Sequence, residues 1–188
     1  GSYDPLFSMI KSIETYYKGY LCRSRTEARW MVAFDKVGIK YEYEPEGFDL
    51  GEEGKYLPDF YLPQVDMYAE VKGKQFTLKE LRKAKGLSNQ SDKEVLLLDG
   101  PPARKGYWSI GSGKHGGWLE TFEGETFCVI DYDIFDHHEY WLCESRFYCN
   151  TGEGVETFPN SHSLSWADES DSIAVRASRS ARFEHHRP

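Results

Sequence analysis

The order of helix and strand signals in the first half of the chain restricts the fold more than any other feature. A helix pattern begins at Ser24, where Glu27 stands three residues on as in a capping box, and ends at Gly38. Three strand-like segments follow, at 39–44, 56–62 and 67–72. A second capped helix begins at Thr77, and the continuous apolar run at 94–98 is typical of a central buried strand. The order helix, three strands, helix, strand predicts an α/β core.

The signals outside this run of helices and strands are weaker. A hairpin around the Lys18-Gly19 turn precedes the first helix. The glycine-rich stretch 100–117 is predicted to be loop, and short strands are expected at 126–130 and 140–143. A last helix is expected at 166–184, because acids stand at its start and arginines at its end. We therefore predict three parts: an α/β core at 14–100, a mostly β extension with loops at 101–165, and a C-terminal helix and tail at 166–188.

The charge of the chain is acidic overall but unevenly distributed. Its formal net charge of −8 argues against a polyanionic partner for the protein as a whole. Between residues 72 and 85, however, six basic side chains face a single acid, while 116–144 contains acids without any Lys or Arg. No apolar run approaches the roughly 18 residues of a membrane helix, so we expect a cytoplasmic protein without membrane contact. Local charge is therefore compatible with a nucleic-acid partner.

Three polar side chains stand on the second and third predicted strands. Glu70 and Lys72 are two residues apart, so they point to one face of their strand, whereas Ala69 and Val71 point to the other. Asp59 on the preceding strand would approach Glu70 if the two strands pair as neighbours. Converging carboxylates repel unless a cation joins them, and a small set of oxygen ligands suits Mg²⁺. The lysine would supply positive charge to a phosphate or to the water that attacks it.

Glu27 belongs to the apolar stripe of the first helix. It shares this stripe with Met31 and Phe34, at a spacing that turns it toward the sheet. Two interpretations stay open, because Glu27 either faces the carboxylates of the strands or serves only as the capping-box residue of its helix.

These residues and the element order resemble the PD-(D/E)XK nuclease superfamily. The resemblance rests on Pro58-Asp59, on the triplet Glu70-Val71-Lys72 and on Glu27, within a restriction-endonuclease-like core at about 24–99. Further likeness is to the phage and transposon branch that includes the TnsA-type endonuclease domain, in four segments: 24–29, 43–46, 56–60 and 69–73. The resemblance implies a phage or mobile-element protein that acts in the cytoplasm of the host cell.

The resemblance also implies a role for each residue. Asp59 and Glu70 would bind a Mg²⁺ ion, for which Mn²⁺ is expected to substitute, with help from the backbone carbonyl of Val71. Lys72 would position or activate the attacking water and stabilise charge on the phosphate. Glu27 would complete the metal shell, directly or through water. The catalytic set is then Glu27, Asp59, Glu70 and Lys72, and the expected activity is hydrolysis of phosphodiester bonds in DNA that leaves a 5′ phosphate.

Residues near the second helix are candidates for binding the nucleic-acid backbone. They are Lys74, Gln75, Lys79, Arg82 and Lys83. An interpretation of equal weight is that they form a solvated helix face. In the last helix Arg176, Arg179 and Arg182 recur every three residues, and complementarity to the helix dipole accounts for them better than DNA binding does.

Two other functions fit the same residues. A nuclease fold without activity would bind DNA or a host protein and cut nothing in Mg²⁺ or Mn²⁺. A ribonuclease or a structure-selective nuclease would prefer other substrates. Symmetric double-strand cutting would favour a homodimer, and the acidic second half would offer a surface to a protein partner. The sequence thus predicts a metal-dependent DNA endonuclease whose target stays open.

Overall fold

The computed structural model describes residues 12–111, 117–120, 125–135, 143–145 and 169–183, which form a mixed α/β fold. Its helices are α1 (Arg25–Val37), α2 (Leu78–Ser91) and α3 (Glu169–Ser180). Its strands, in chain order, are β1 (Thr15–Tyr17), β2 (Tyr20–Cys22), β3 (Glu42–Tyr43), β4 (Phe48–Asp49), β5 (Lys55–Tyr56), β6 (Phe60–Leu62), β7 (Met67–Lys72), β8 (Val95–Asp99), β9 (Gly106–Gly111), β10 (Gly117–Glu120), β11 (Thr126–Asp133) and β12 (Cys143–Ser145). A 3₁₀ turn at Gly51–Glu53 lies between β4 and β5.

One eight-stranded sheet runs through the described part of the chain. Its strand order is β10-β11-β9-β8-β7-β6-β3, and β12 pairs with the C-terminal part of β11. Within these ranges every pair of the sheet is antiparallel except β7 and β8, which α2 connects as a parallel crossover. The hairpins β1-β2 and β4-β5 form separate two-stranded sheets. Strands from the predicted core and from the predicted extension therefore belong to the same sheet.

The helices α1 and α2 begin at the residues that the sequence predicts. The Ser24 hydroxyl accepts a hydrogen bond from the Glu27 amide at 3.2 Å. Gly38 ends α1 with a φ of 77°, a conformation that glycine adopts without strain. Thr77 and Glu80 form a complete capping box at the start of α2, with hydrogen bonds of 2.9 and 3.3 Å. These caps define where both helices begin and where α1 ends.

The sheet is apolar on both faces, and each face packs against a helix. Along β7, Ala69 belongs to the buried cluster that contains Trp30 of α1, and α3 packs against α1 on the same side. On the opposite face, Tyr68 belongs to the cluster that contains Leu87 of α2. Full burial of a large apolar side chain contributes about 1.5–3 kcal/mol. Alternation along β7 places Glu70 on the α2 face of the sheet.

Two segments that the sequence predicts to be loop contain strands. Within 100–117, β9 pairs with β8 and β11 in the middle of the sheet, so the loop prediction is wrong there. The six-residue strand β9 begins and ends with glycine, which in the sequence is typical of a loop, and its position is set by pairing with strands distant in the chain. The glycine-containing stretch between the strands predicted at 39–44 and 56–62 is expected to be loop, but the β4-β5 hairpin lies there and extends to Tyr56.

The strands predicted at 39–44 and 56–62 are shorter in the structure, at Glu42–Tyr43 and Phe60–Leu62, and Tyr56 belongs to the separate β5. The remaining predicted elements correspond to elements of the structure within the described ranges. The hairpin predicted around Lys18-Gly19 is β1-β2, the strand predicted at 126–130 is the first part of β11, and α3 lies within the helix predicted at 166–184. Most of the strand predicted at 140–143 lies outside the described residues. None of the helices that the structure describes combines the length and the apolar character needed to span a bilayer.

Candidate active site

Asp59 and Glu70 form a carboxylate pair where β6 meets β7. The two strands are antiparallel neighbours in the register Phe60↔Ala69, so Asp59 stands opposite Glu70 just before β6 begins. The Val71 amide donates to Asp59 Oδ2 at 2.7 Å, and the Asp59 amide donates to Glu70 Oε2 at 3.3 Å. Each carboxylate thus accepts a hydrogen bond from the opposite stretch of backbone. The structure brings the two acids together, as pairing of these strands requires.

Burial makes both acids of the carboxylate pair unusually basic, and repulsion adds to this effect at Asp59. Asp59 is 7% exposed and Glu70 is 6% exposed. Burial, followed by repulsion from Glu70 and Glu27, raises the pKa of Asp59 well above its usual range, although the Val71 amide acts in the opposite direction. Burial also raises the pKa of Glu70, against the lowering effect of Lys72. A cation bound by both acids would relieve the repulsion and part of the cost of burial.

Lys72 lies directly beside the carboxylate pair. Its Nζ is 3.2 Å from Glu70 Oε1 and 3.9 Å from Glu80 Oε1. Burial is the largest single effect and lowers the pKa of Lys72, but attraction to Glu70, Glu80 and Asp59 together outweighs burial, so the pKa is raised. Lys72 is therefore an ammonium group at neutral pH. It offers positive charge and hydrogen-bond donors, and it cannot act as a base in this state.

Glu27 is buried within electrostatic range of Asp59 but has other hydrogen-bond partners. Its charge helps to raise the pKa of Asp59, after burial and Glu70. Among the described residues, no three acidic, histidine or cysteine side chains converge as ligands of a metal ion. The structure therefore does not join Glu27 to the carboxylate pair in a three-carboxylate site, and a contribution through water stays a prediction.

The contacts of Glu27 also bear on its capping interpretation. Its amide donates to the Ser24 hydroxyl, as in a capping box, but its Oε2 accepts from the Arg23 amide at 2.9 Å rather than from Ser24. The second partner of Oε2 is the Tyr43 hydroxyl, at 2.7 Å. Glu27 thus links the start of α1 to β3, a role that no sequence signal indicated.

The charge balance of this region favours a divalent cation. In their ionised forms, Asp59 and Glu70 bring two negative charges against the one ammonium group of Lys72, and Glu27 adds charge within electrostatic range of Asp59. Such oxygen donors fit Mg²⁺, which typically takes one or two carboxylates and completes its shell with water and substrate oxygens. The residues present therefore fit the metal that the resemblance implies. The carbonyl of Val71 stays a predicted ligand, because the observed contact to Asp59 uses its amide.

A cleft of about 330 Å³ lies between β5, β7 and α2, and Glu70 of the carboxylate pair lines it, whereas Asp59 does not. Its charged lining consists of four lysines, Lys55, Lys72, Lys79 and Lys83, and two acids, Glu70 and Glu80. Lys55 comes from β5, Lys72 comes from β7 and the other two lysines come from α2, so three separate elements bring positive charge to the cleft. Phosphate groups are anions that such a lining attracts.

The cleft divides the predicted nucleic-acid contacts. Lys79 and Lys83 line it, in agreement with the positions expected for a phosphate contact. Lys74 and Gln75 are exposed in the segment before α2 and do not line the cleft. Both interpretations of these residues, as a binding face and as a solvated face, stay predictions, and Lys79 and Lys83 differ from the others in lining the cleft.

Arg82, the fifth predicted contact, forms an ion pair with Glu125. Its Nε donates to Glu125 Oε1 at 2.7 Å, which joins α2 to the start of β11. Glu125 belongs to the acidic stretch in which a protein-binding surface is predicted, and in the structure its carboxylate is paired with Arg82 of the same chain. The side chains of the other acids between 116 and 144 lie outside the described residues, so that surface stays a prediction.

Lys55 and Tyr56 are site residues that the sequence did not indicate. Lys55 lines the cleft from β5. The Tyr56 hydroxyl is buried near Glu70 without a hydrogen-bond partner of normal geometry among the described residues. Burial and the Glu70 charge raise the pKa of Tyr56, so its hydroxyl stays protonated. Both residues follow a glycine-rich stretch that carries turn signals and no periodicity.

Asp59, Glu70 and Lys72 form the centre of the candidate active site, and the lysine-lined cleft adjoins it. No protein-family model, curated protein or solved structure matches the chain. The function is therefore inferred from the geometry of this site and from the residues that carry the sequence resemblance.

Proposed function

We propose that this protein is a Mg²⁺-dependent nuclease that hydrolyses phosphodiester bonds in DNA. The observation that carries the proposal is the buried carboxylate pair of Asp59 and Glu70, with Lys72 3.2 Å from Glu70. Asp59 stands just before β6 and the other two groups on the neighbouring β7, and Glu70 and Lys72 line a cleft in which lysines outnumber acids. Their order, strand positions and residue types agree with the PD-(D/E)XK resemblance, which supports a restriction-endonuclease-like core.

The roles of the residues follow from their positions and charges. Asp59 and Glu70 would hold the metal ion, which when bound supplies positive charge at the phosphate and a more acidic water. Lys72, as an ammonium group, stabilises the negative charge that develops on phosphate oxygens and orients the attacking water through its N–H donors. Glu70 keeps Lys72 in position through their ion pair.

The lining of the cleft supports a nucleic-acid substrate. Lys55, Lys79 and Lys83 provide positive charge where a phosphate backbone would lie. DNA is proposed because the sequence resemblance is to DNA-cutting enzymes of phages and mobile elements. On the same basis we propose endonuclease action in the host cytoplasm, a homodimer where both strands are cut, and Mn²⁺ as a substitute for Mg²⁺.

Cleavage of supercoiled plasmid tests the proposal directly. Wild type should convert the plasmid to nicked or linear DNA in Mg²⁺, and excess chelator should abolish the reaction. Lys72→Ala should lower the rate by about a hundredfold or more, because it removes a charge that acts on the transition state. Lys40→Ala is the matched control, since Lys40 is an exposed lysine away from the cleft lining, and its rate should equal that of wild type.

Three results would separate the alternatives. Plasmid binding without cleavage in Mg²⁺ or Mn²⁺ would refute hydrolysis and support a nuclease-fold binding module. Cleavage of RNA, single strands or branched DNA in place of duplex DNA would correct the substrate. Equal rates for Lys72→Ala and wild type would show that any cleavage arises elsewhere, and the assignment would lose its basis.

A further inference from the structure

We propose that four arginines of α1 and the α3 region form a second contact surface for the phosphate backbone of nucleic acid. This arginine surface consists of Arg25, Arg29, Arg179 and Arg182. Its residues neither line the cleft nor belong to the candidate active site. The inference rests on the proposed function in one respect, since it takes the bound polyanion to be DNA.

The packing of α3 on α1 brings these side chains together. Arg25 and Arg29 lie four residues apart and share one face of α1. Arg29 Nη1 donates to the carbonyl oxygen of Ser178 at 2.6 Å and also to that of Arg179, at the C-terminal end of α3. Arg179 Nε donates to the carbonyl oxygen of Pro102 at 2.9 Å. Two of the four guanidinium groups are therefore held in place by the backbone.

Phe183 holds the segment after α3 against α1. Its ring meets the ring of Tyr17 edge-on, with centroids 6.2 Å apart, and its centroid lies 5.8 Å from the guanidinium carbon of Arg29. Arg182, the preceding residue, is thereby kept close enough for its charge to act on Arg29. The arginine surface is thus a product of tertiary packing, and the spacing of arginines along the last helix does not show it.

The positive charge of the arginine surface is not neutralised by the residues that the structure describes. Arg29 bonds to carbonyl oxygens at the C-terminal end of α3, whose partial negative charge offsets part of its own, and Arg179 bonds to the carbonyl oxygen of Pro102, so neither forms an ion pair with an acid. Arg25 and Arg182 form neither an ion pair nor a hydrogen bond within the described ranges. Burial, followed by repulsion from Arg25, Arg182 and Arg179, lowers the pKa of Arg29. An anion bound here would relieve this repulsion.

A phosphate backbone is the partner that this chemistry fits. A guanidinium group presents a planar fork of donors that matches phosphate oxygens, and it loses its hydration more readily than an ammonium group. Four such groups stand together in a protein whose net charge is −8, so the local charge opposes the average. The first turn of α1 carries both Arg25 and Glu27, whose charge reaches Asp59.

DNA binding measured apart from cleavage tests the proposal. Fluorescence anisotropy of a short labelled duplex, in chelator, would compare wild type with Arg25→Gln and Arg182→Gln. Each change should weaken binding about three- to tenfold and reduce the slope of log affinity against log salt by about one, as loss of one phosphate contact does. Lys40→Gln removes the same charge elsewhere and should change neither quantity. Equal Tm values for all four proteins would show that folding is unaffected.

Two results would overturn the arginine surface. The first is that both arginine variants bind the duplex with the same affinity and salt slope as wild type. The second is that wild type does not bind the duplex. The nuclease proposal fails by a different route. Plasmid cleavage by wild type together with unchanged binding in the variants would leave the nuclease and remove the surface. Weakened binding in the variants without cleavage by wild type would remove the nuclease and leave the surface.

Discussion

Replacement of Asp59 by asparagine should make the metal-free protein more stable. Burial and repulsion from Glu70 and Glu27 act against the Asp59 carboxylate. Two like unit charges 4 Å apart repel by about 4 kcal/mol at the effective dielectric of protein sites, and Lys72 offsets part of this. The asparagine oxygen still accepts the Val71 amide, although a neutral acceptor gives up about 1 kcal/mol. A net gain of about 1–2 kcal/mol in the free energy of unfolding is expected in chelator.

Thermal unfolding followed by circular dichroism measures this gain. For a chain of 188 residues it corresponds to a rise in Tm of about 2–8 °C. The pKa of Asp59 is raised in the folded state, so below the unfolded pKa of about 3.9 the carboxyl is protonated in both states and the variant gains nothing. As the pH rises through the folded pKa, wild type loses stability and the variant does not. The difference in Tm between the two proteins should therefore increase between the unfolded and the folded pKa of Asp59 and stay constant at higher pH.

Magnesium should reverse the order of the two proteins. A ligand at a hundred times its Kd stabilises the native state by about 2.7 kcal/mol, and Asp59→Asn lacks one of the two proposed ligands. Glu42→Gln neutralises an exposed carboxylate at the edge of the sheet, and as the control it should move Tm little in either buffer. A lower Tm for Asp59→Asn than for wild type in chelator above neutral pH would refute the reasoning, and so would an equal rise of both Tm values with Mg²⁺.

Three further predictions concern pH, Glu27 and the cleft. Because the pKa values of the carboxylate pair are raised, protons compete with the metal ion for these acids, and the cleavage rate should increase with pH on the acid side. When the pH profile is measured at two Mg²⁺ concentrations, this increase should occur at lower pH at the higher concentration. Tyr43→Phe should cost about 1–3 kcal/mol, since buried Glu27 loses a 2.7 Å hydrogen bond, and an unchanged urea midpoint would contradict this. Lys83→Ala should raise KM and weaken DNA binding more than Arg82→Ala, because Lys83 lines the cleft whereas Arg82 is paired with Glu125. Equal losses of DNA affinity in Lys83→Ala and Arg82→Ala, measured by fluorescence anisotropy, would show that the whole helix face binds.

Local requirements of the backbone account for what could be predicted from the sequence. Ser24 and Thr77 stand where a hydroxyl satisfies amides that the first helical turn leaves unpaired, so the helix starts were readable. The alternation that puts Glu70 and Lys72 on one face of β7 follows from strand geometry alone. Neither inference needs knowledge of residues far away in the chain.

Contacts between distant parts of the chain account for what was missed. The strand β9 begins and ends with glycine, and it is a strand because β8 and β11 pair on either side of it. Lys55 belongs to a hairpin of two-residue strands, which is too short to leave a periodic signal. Tyr43 bonds Glu27 across 16 positions, and Arg82 bonds Glu125 across 43. No local pattern identifies partners at such separations.

The two main-chain hydrogen bonds of the carboxylate pair have a consequence for how the site can be observed. The N–H groups of Asp59 and Val71 donate to the side-chain oxygens whose charge would change when a proton or a cation binds. Their polarisation must change with that charge. The nitrogen and proton resonances of these two peptides would therefore follow occupancy without substrate, and the molecule carries an internal spectroscopic probe where an added label would obstruct access.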